Sequence, residues 1–339
     1  MRKCMADADV GDDFYREDPT VTALEEYAAD LLQKEAALFV LSGTMGNLVS
    51  VRAQVAPGKA VILSETSHLH VNETGHLASI CGLTSYPSQT NGGYYDLPSL
   101  EARWPLPESN SPPSVLNPAL GLICIENTHN GDGGRCVDLD HLQAVAAFAN
   151  ARSIALHVDG ARLFNASVFL GVCAAEVVKH ADSVSFCLSK GLAAPGGAII
   201  AGTQDFVEEA RHWRQMVGGG MRQAGVLAAA GLMALRDNTE RLHEDHENAH
   251  RLAEGLAEAG LVVDLDGVHT NIVMAFIPKA FGAPSQLHKD LTRAGVLVLP
   301  PKGNRLRFVT HADVSRSGID QALTRISRVI SDRRSNVGA

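Results

Sequence analysis

The stretch Ser185–Gly197 reads S-F-C-L-S-K-G-L-A-A-P-G-G and places Lys190 between a short apolar run and a turn rich in Gly and Pro. Earlier in the chain, Ile154–Arg162 reads I-A-L-H-V-D-G-A-R, a second apolar run that ends on an acid and an arginine. Short apolar runs bounded by such turns are typical of buried strands in a parallel sheet. Functional groups in these sheets lie at the carboxyl ends of the strands, so the two stretches predict that Lys190 and Asp159 meet at one edge.

Further short apolar runs alternate with segments of helical spacing, which predicts an α/β fold with a mostly parallel sheet flanked by helices. The predicted strands of this sheet are Ala37–Leu41, Val61–Leu63, Leu120–Ile125, Ile154–Val158, Ser183–Leu188 and Ala198–Ala201. The predicted helices are Val21–Lys34, Leu48–Gln54, Leu139–Asn150 with Asp138 or Asp140 as its cap, Gly225–Arg251 and Ile319–Ser331. The segment Trp104–Ala119 is rich in Pro, Ser and Asn and is predicted to be an exposed insertion.

The length of 339 residues suits roughly two domains. We expect an N-terminal segment over residues 1–20, a large domain over 21–235 and a smaller C-terminal α+β domain over 236–339. Leu261–Phe276 and Val296–Val309 are expected to supply strands to the small domain. Gly225–Arg251 changes from Ala-rich to charged and is expected to be one long helix that connects the two domains.

The composition excludes several classes of protein. The formal net charge of −9 is spread without long blocks of like charge, so we expect no nucleic-acid partner. The longest apolar stretch, Val226–Leu235, is too short to cross a bilayer, and the start M-R-K-C-M-A has no apolar signal segment. The six cysteines show no C-x-x-C spacing and suit a reducing compartment, so a cytoplasmic protein is expected.

Lys190 and Asp159 together suit pyridoxal phosphate (PLP) chemistry. The cofactor binds a lysine covalently as a Schiff base, and a carboxylate pairs with its pyridinium nitrogen so that the ring can accept electrons. Each residue taken alone has a simpler interpretation: Lys190 suits a surface lysine at a strand end, and Asp159 suits a helix N-cap. The pair in this setting favours the PLP site.

Two further features suit anionic groups. Arg162 is a candidate for the cofactor's phenolic oxygen or for a substrate carboxylate, although an ion pair with Asp159 is an alternative. Ser42-Gly43-Thr44 opens a predicted helix, where backbone N–H groups and a hydroxyl can bind a phosphate. The S-G-T motif is weak by itself because many helices begin in this way.

Histidines and arginines supply the remaining candidates. His68, His70 and His76 lie near Glu65 and Glu73, which suits a metal site less well than a loop histidine that stacks on a flat cofactor; a solvated loop is the third interpretation. His129 in E-N-T-H-N is either an acid/base or a hydrogen-bonded turn residue. The other candidates are Arg222, in a glycine-rich turn, for a phosphate or a second subunit, and Arg305 and Arg307 for a substrate carboxylate.

The motifs, taken in this order, resemble those of the low-specificity L-threonine aldolase family of PLP enzymes, which has the aspartate-aminotransferase-like fold (fold type I). The resemblance runs over nearly the whole chain. Its motifs are V-G-D-D-F-Y-R-E-D-P-T-V, S-G-T-M-G-N-L, E-N-T-H-N, H-V-D-G-A-R-L-F-N-A, C-L-S-K-G-L-A-A-P-G-G, G-G-G-M-R-Q-A-G and L-R-F-V-T-H-A-D-V.

The resemblance implies a role for each matching position. Lys190 is the PLP lysine, Asp159 is the pyridinium partner and His68 is the ring-stacking histidine. Gly43 and Thr44 form the phosphate cradle, Arg162 and Arg307 bind the substrate carboxylate, and His129 lies near the β-hydroxyl. Arg222 lies close to the cofactor across a subunit boundary. It also implies a homodimer or homotetramer with shared active sites. No metal is expected, because the histidines and glutamates near His68 show no clean ligand spacing.

The chain departs from the family pattern at three places. The family usually begins with a segment containing D-L-R-S-D-T-V-T, whose serine helps to bind the substrate carboxylate, and this chain begins after it. Gln215 stands where many members have a lysine, and the insertion at Trp104–Ala119 is longer than the family pattern. The first two departures reduce the polar lining of the site.

The resemblance implies a PLP-dependent lyase that cleaves L-threonine, L-allo-threonine and related β-hydroxy-α-amino acids to glycine and an aldehyde. Two alternatives stay open. One is an amino-acid racemase similar to fungal alanine racemases, which would remove the Cα proton instead. The other is an inactive PLP-binding paralogue, suggested by the missing N-terminal segment.

Overall fold

A computed structural model describes residues 1–106 and 115–337, with the side chains of 335–337 left out. The chain divides into two compact units. The first comprises Met1–Asp132 and Cys136–Glu240, and the second comprises Gly133–Arg135 and Arg241–Ala339. The middle of the predicted insertion, 107–114, lies outside the described residues, and its flanking residues Leu106, Val115 and Leu116 are exposed.

The first unit is built on a seven-stranded sheet with the strand order β1-β9-β8-β7-β6-β2-β3. A short hairpin of β4 and β5 lies outside this sheet. The strands are β1 (Ala36–Val40), β2 (Ala60–Ser64), β3 (Thr84–Ser88), β4 (Thr90–Asn91), β5 (Tyr94–Tyr95), β6 (Leu120–Glu126), β7 (Ala155–Asp159), β8 (Ser183–Cys187) and β9 (Ala198–Gly202).

Strand direction explains where the site forms. Strands β3, β2, β6, β7 and β8 run parallel, while β9 is antiparallel to both β8 and β1. All sheet strands except β9 therefore point the same way, and their carboxyl ends share one edge. Apart from the edge strand β3, which is exposed or half-buried, the strands are mostly apolar and buried along nearly their whole length, as expected of a sheet covered on both faces.

Helices of the first unit follow the strands. They are α1 (Arg2–Ala6), α2 (Pro19–Leu32), α3 (Gly43–Gln54), α4 (His68–Val71), α5 (His76–Ser79), α6 (Leu97–Arg103), α7 (Leu139–Ala151), α8 (Leu163–Leu170), α9 (Ala174–Val177), α10 (Gln204–Met216) and α11 (Gly225–Asp237), with a 3₁₀ turn at Asp13–Tyr15. Asp138 caps α7 by accepting a hydrogen bond from the backbone N–H of His141, which decides between the two predicted caps.

All five predicted helices differ from the observed ones at one or both ends, and two of these differences change the position or number of helices. Helix α3 begins at Gly43, not Leu48, because the Ser42 hydroxyl caps it by accepting from the Met45 N–H. The predicted long helix Gly225–Arg251 is wrong: α11 ends at Asp237 and the next helix begins at Leu242. The side chain of Asn238, at the end of α11, donates to the carbonyl of Leu192 and so ties the chain there to a distant segment.

The second unit has a three-stranded antiparallel sheet in the order β10-β11-β12. Its strands are β10 (Val262–Val263), β11 (Ile272–Phe276) and β12 (Arg305–Val309), and its helices are α12 (Leu242–Glu258), α13 (Pro284–Arg293) and α14 (Arg316–Val337), with 3₁₀ turns at Leu265–Gly267 and Lys279–Phe281. Residues of α12, α14 and β11 share one apolar core, including Leu256, Ile326 and Val273. Within the described ranges, no helix is both long and apolar enough to cross a membrane.

Candidate active site

The site residues of the first unit come from the carboxyl ends of five strands. Gly43 follows β1, His68 follows β2, and His129 follows β6. Asp159 is the last residue of β7, and Lys190 lies three residues after β8. The shared edge therefore gathers side chains that are far apart in sequence.

Lys190 is half-buried and lies beside a buried thiol. Its amine lies close enough to Cys187, the last residue of β8, to act on the pKa of that thiol. Burial raises the pKa of the Cys187 thiol, while the nearby Lys190 opposes the rise. The thiol also lies against the start of α3, where a Cβ added to Gly43 would come within 2.6 Å of Cys187 Sγ. A side chain at residue 43 would therefore clash with the Cys187 thiol unless one of the two moved.

Asp159 is a buried carboxylate held at both oxygens. Its Oδ2 accepts a 2.9 Å hydrogen bond from Asn47 Nδ2, and its Oδ1 accepts one of 3.2 Å from the N–H of Ala161. Burial raises its pKa to about 6, helped by the carboxylates of Glu126 and Glu73. It does not cap a helix, because α8 begins at Leu163.

His68 is positioned by two glutamates. Its Nδ1 lies 2.7 Å from Glu73 Oε1, and its backbone N–H donates to Glu126 Oε2 at 2.7 Å. The hydrogen bond to Glu73 raises the pKa of His68 above its ordinary value. The charges of Asp159 and Lys190 also act on His68, so the three predicted residues lie within electrostatic range of one another.

His129 is completely buried and has partners at both ring nitrogens. Its Nε2 lies 3.1 Å from the hydroxyl of Ser64, and its Nδ1 accepts from the N–H of Asp132 at 3.3 Å. The hydroxyl of Ser64 in turn lies 2.7 Å from that of Thr90. Either ring nitrogen of His129 can accept a proton from the substrate only after it gives up its present hydrogen-bond partner.

Arg162 and the start of α3 suit anionic groups. Within the described part of the chain, the buried Nε of Arg162 has no hydrogen-bond partner. Burial lowers the pKa of Arg162, and neighbouring Cys187, Glu126 and Asp159 oppose this. A buried guanidinium with an unused donor is stabilised when an anionic ligand binds it. Thr44, at the exposed start of α3, offers a hydroxyl beside backbone N–H groups.

The structure does not bring Arg222 into this cluster. Its guanidinium forms an ion pair with Asp12 at 2.5 Å and lies over the ring of Phe14 at 4.6 Å. Arg307 belongs to the second unit, where it lies opposite Met274 in the β11–β12 ladder. The roles of both arginines therefore stay predictions.

Sequence reasoning missed Asn47, Glu126 and the central position of Glu73. Asn47 lies four residues after Gly43, on the inner face of α3, and joins Glu73 to Asp159 through its amide. Its helical spacing from the S-G-T motif was the available signal. Within the described residues, no group of three His, Cys, Asp or Glu side chains is arranged to hold a metal ion.

These residues fit PLP. Lys190 offers an amine for covalent attachment, Asp159 offers a buried carboxylate for the pyridinium nitrogen, and Arg162 offers an unused donor for an anionic oxygen. Gly43, where an added Cβ would clash with Cys187 Sγ, lies at the start of α3, where backbone N–H groups can bind a phosphate. A fold with this strand order and this site is that of a PLP-dependent enzyme of fold type I.

The chain belongs to the beta-eliminating lyase family, whose model matches residues 1–280. It is 42% identical over 332 residues to low-specificity L-threonine aldolase 1 of Arabidopsis thaliana, covering 96% of this chain and 90% of that protein. It is 38% identical over 323 residues to low specificity L-threonine aldolase of Escherichia coli K12, covering 93% of this chain and 91% of that one. The predicted resemblance is confirmed.

The fold matches a solved structure of threonine aldolase from Leishmania major with a TM-score of 0.76 at 18% identity, covering 93% of this chain and 90% of that one. The α/β architecture predicted from the alternating pattern is therefore confirmed.

Proposed function

We propose that this enzyme cleaves L-threonine, L-allo-threonine and related β-hydroxy-α-amino acids to glycine and an aldehyde. Both relatives described above are named low-specificity L-threonine aldolases, and the chain matches them over 96% and 93% of its length. The observation that carries the proposal is that Lys190, Asp159 and His68 lie within electrostatic range at one sheet edge, beside Arg162 with its unused donor.

Each residue contributes a definite step. Bound PLP supplies an electron sink for the bond broken at the α-carbon. Lys190 would hold the cofactor through its amine, and ionised Asp159 would pair with the pyridinium nitrogen. Arg162 binds an anionic oxygen of the substrate or cofactor. When that oxygen belongs to the substrate carboxylate, the contact orients the Cα–Cβ bond for cleavage.

Cleavage of the Cα–Cβ bond also requires proton transfer. The proton of the β-hydroxyl leaves as the Cα–Cβ bond breaks, the aldehyde departs, and a proton returned to Cα gives glycine. We propose that His129 accepts the hydroxyl proton directly or through a water that it orients. Because both of its ring nitrogens are engaged, substrate binding must displace the Ser64 hydroxyl or the Asp132 N–H.

The experiment is incubation of the holoenzyme with L-threonine, L-allo-threonine and L-alanine, with glycine, aldehyde and D-isomers measured together. We expect glycine and acetaldehyde in equal amounts from both threonine isomers. Formation of D-alanine without aldehyde would support a racemase and contradict the proposal. A cofactor that is bound but turns over none of the three amino acids would support an inactive paralogue.

We also propose a cytoplasmic homodimer or homotetramer. Four exposed apolar side chains support self-association: Phe14, Tyr15, Met216 and Met221. They lie in or beside the 3₁₀ turn and the glycine-rich turn, and these two segments touch where Phe14 contacts Arg222. All six cysteines are free, as in a reducing compartment. Light scattering after gel filtration measures the mass, and a monomer at micromolar concentration would contradict the oligomer.

A further inference from the structure

Glu73 is a buried carboxylate on which three side chains converge. Its side chain is 1% exposed. Oε1 lies 2.7 Å from His68 Nδ1 and accepts a 2.9 Å hydrogen bond from Asn47 Nδ2, while Oε2 lies 2.6 Å from His76 Nε2. Glu65, eight residues earlier in the chain, is by contrast exposed. A carboxylate buried with three partners is held in one position.

Asn47 connects this carboxylate to Asp159. Its amide nitrogen donates to both Glu73 Oε1 and Asp159 Oδ2, each at 2.9 Å. Its amide oxygen accepts a 2.7 Å hydrogen bond from the hydroxyl of Ser185. The amide NH₂ faces two carboxylates, which only accept, and the amide oxygen faces a hydroxyl that donates. Only this orientation of the Asn47 amide therefore satisfies all three hydrogen bonds.

We propose that Glu73 is a positioning residue of the active site. It holds the His68 ring with Nδ1 protonated and, through Asn47, fixes the carboxylate of Asp159 toward the cofactor. This inference rests on the proposed function, since it takes His68 as the residue that stacks on the cofactor. Glu73 itself reaches neither substrate nor cofactor and acts through His68 and Asp159.

The charges around Glu73 support this role. Burial alone raises the pKa of Glu73, but hydrogen bonds from His68, His76 and Asn47 outweigh it and lower the pKa below its ordinary value. Glu73 therefore stays ionised and keeps His68 protonated to a higher pH. Titratable and charged groups from several elements face the pair formed by Glu73 and His68. They are His76 on the same segment as Glu73, Cys124 and Glu126 of β6, His157 and Asp159 of β7, and Lys190 after β8.

The test is a double-mutant cycle on the holoenzyme with Glu73→Gln, His68→Asn and both together. Glu65→Gln, an exposed glutamate of the same loop, is the matched control. The readouts are the visible absorption of the bound cofactor as a function of pH and the kcat/KM for L-threonine. Because His68 is taken to stack on the cofactor, its change of charge is expected to alter that absorption.

We expect Glu73→Gln to move the midpoint of the His68-dependent absorption change to lower pH and to reduce kcat/KM by roughly 10-fold, as for other partners that orient a functional histidine. In the His68→Asn background, the same change should reduce kcat/KM by clearly less than in the parent enzyme, because only its effect through Asn47 and Asp159 remains. Glu65→Gln should match the parent enzyme in both readouts.

An unchanged midpoint in Glu73→Gln, or an equal loss of kcat/KM with and without His68, would overturn the proposal. If Glu73→Gln does not fold, Glu73→Asp takes its place in the cycle. This variant keeps the charge but shortens the side chain by one methylene, and an equal loss of kcat/KM with and without His68 would again overturn the proposal. If the parent enzyme forms no glycine and aldehyde, the proposed function fails, and the absorption midpoint alone decides the role of Glu73.

Discussion

Asp159 links cofactor binding to pH. Its pKa lies at about 6, raised by burial and by the carboxylates of Glu126 and Glu73. The apo-protein therefore carries a protonated Asp159 below this pH and an ionised one above it. Pairing with a pyridinium nitrogen requires the ionised form, so binding at lower pH must release a proton.

We expect the affinity of the apo-protein for PLP to fall as the pH drops through about 6, by up to about 10-fold per pH unit. Fluorescence titration between pH 5 and pH 8, a range of roughly one to two units on either side of the midpoint, measures it. Asp159→Asn should bind more weakly and lose this dependence. A parent affinity that stays constant across the range would contradict the pairing.

The sequence allowed some site residues to be predicted and not others. Lys190, Asp159, His68 and His129 each lie at or shortly after the end of an apolar run, so the rule for strand ends predicted their neighbourhood. The bond between Asn47 and Asp159 joins residues 112 positions apart, and no local pattern encodes it. Buried polar networks of this kind depend on packing between distant elements, which a single sequence does not reveal.

At the scale of elements, residue 43 at the start of α3 must lack a side chain. A Cβ at Gly43 would lie 2.6 Å from Cys187 Sγ, closer than packed atoms approach. We expect Gly43→Ala to weaken PLP binding, because either α3 or β8 must shift. Cys187→Ala in the same chain should restore part of the lost affinity, measured as the dissociation constant for PLP. Unchanged affinity in Gly43→Ala would show that the contact is not limiting.

Helix α7 tests how well caps can be predicted. Asp138 and Asp140 were equally good candidates, and Asp138 is the observed cap, with Oδ1 accepting from the His141 N–H at 2.8 Å. We expect Asp138→Ala to lower the free energy of unfolding by about 1 kcal/mol. Asp140→Ala, at an exposed site without that bond, is the control and should change it by less than about 0.5 kcal/mol. Urea denaturation measures both, and equal losses would contradict the assignment.

Helix ends were predicted less well than helix centres. The apolar spacing of 225–251 is compatible with one helix, yet the helix stops at Asp237. The next three residues include Asn238 and Thr239, whose side chains bond to backbone carbonyls of Leu192 and Leu235. The bond to Leu192 spans 46 residues, so only the folded chain shows that the helix ends there.

At the scale of the whole molecule, the cofactor should stabilise the fold. A ligand that binds only the native state adds about 2.7 kcal/mol of stability at a concentration 100 times its dissociation constant. We expect the melting temperature to rise with PLP concentration in the parent protein, as measured by scanning calorimetry. Lys190→Ala, which cannot attach the cofactor covalently, should show a smaller rise. Equal melting temperatures with and without PLP would contradict specific binding to the native state.

The central claim is that Lys190 carries the cofactor, and borohydride reduction of the holoenzyme tests it most directly. Reduction fixes the lysine–cofactor linkage, and peptide mass spectrometry then locates the modified residue. We predict one phosphopyridoxyl group on the peptide that contains Lys190, and none in Lys190→Ala. Absence of the group, or its presence on another lysine, would contradict the assignment of this site.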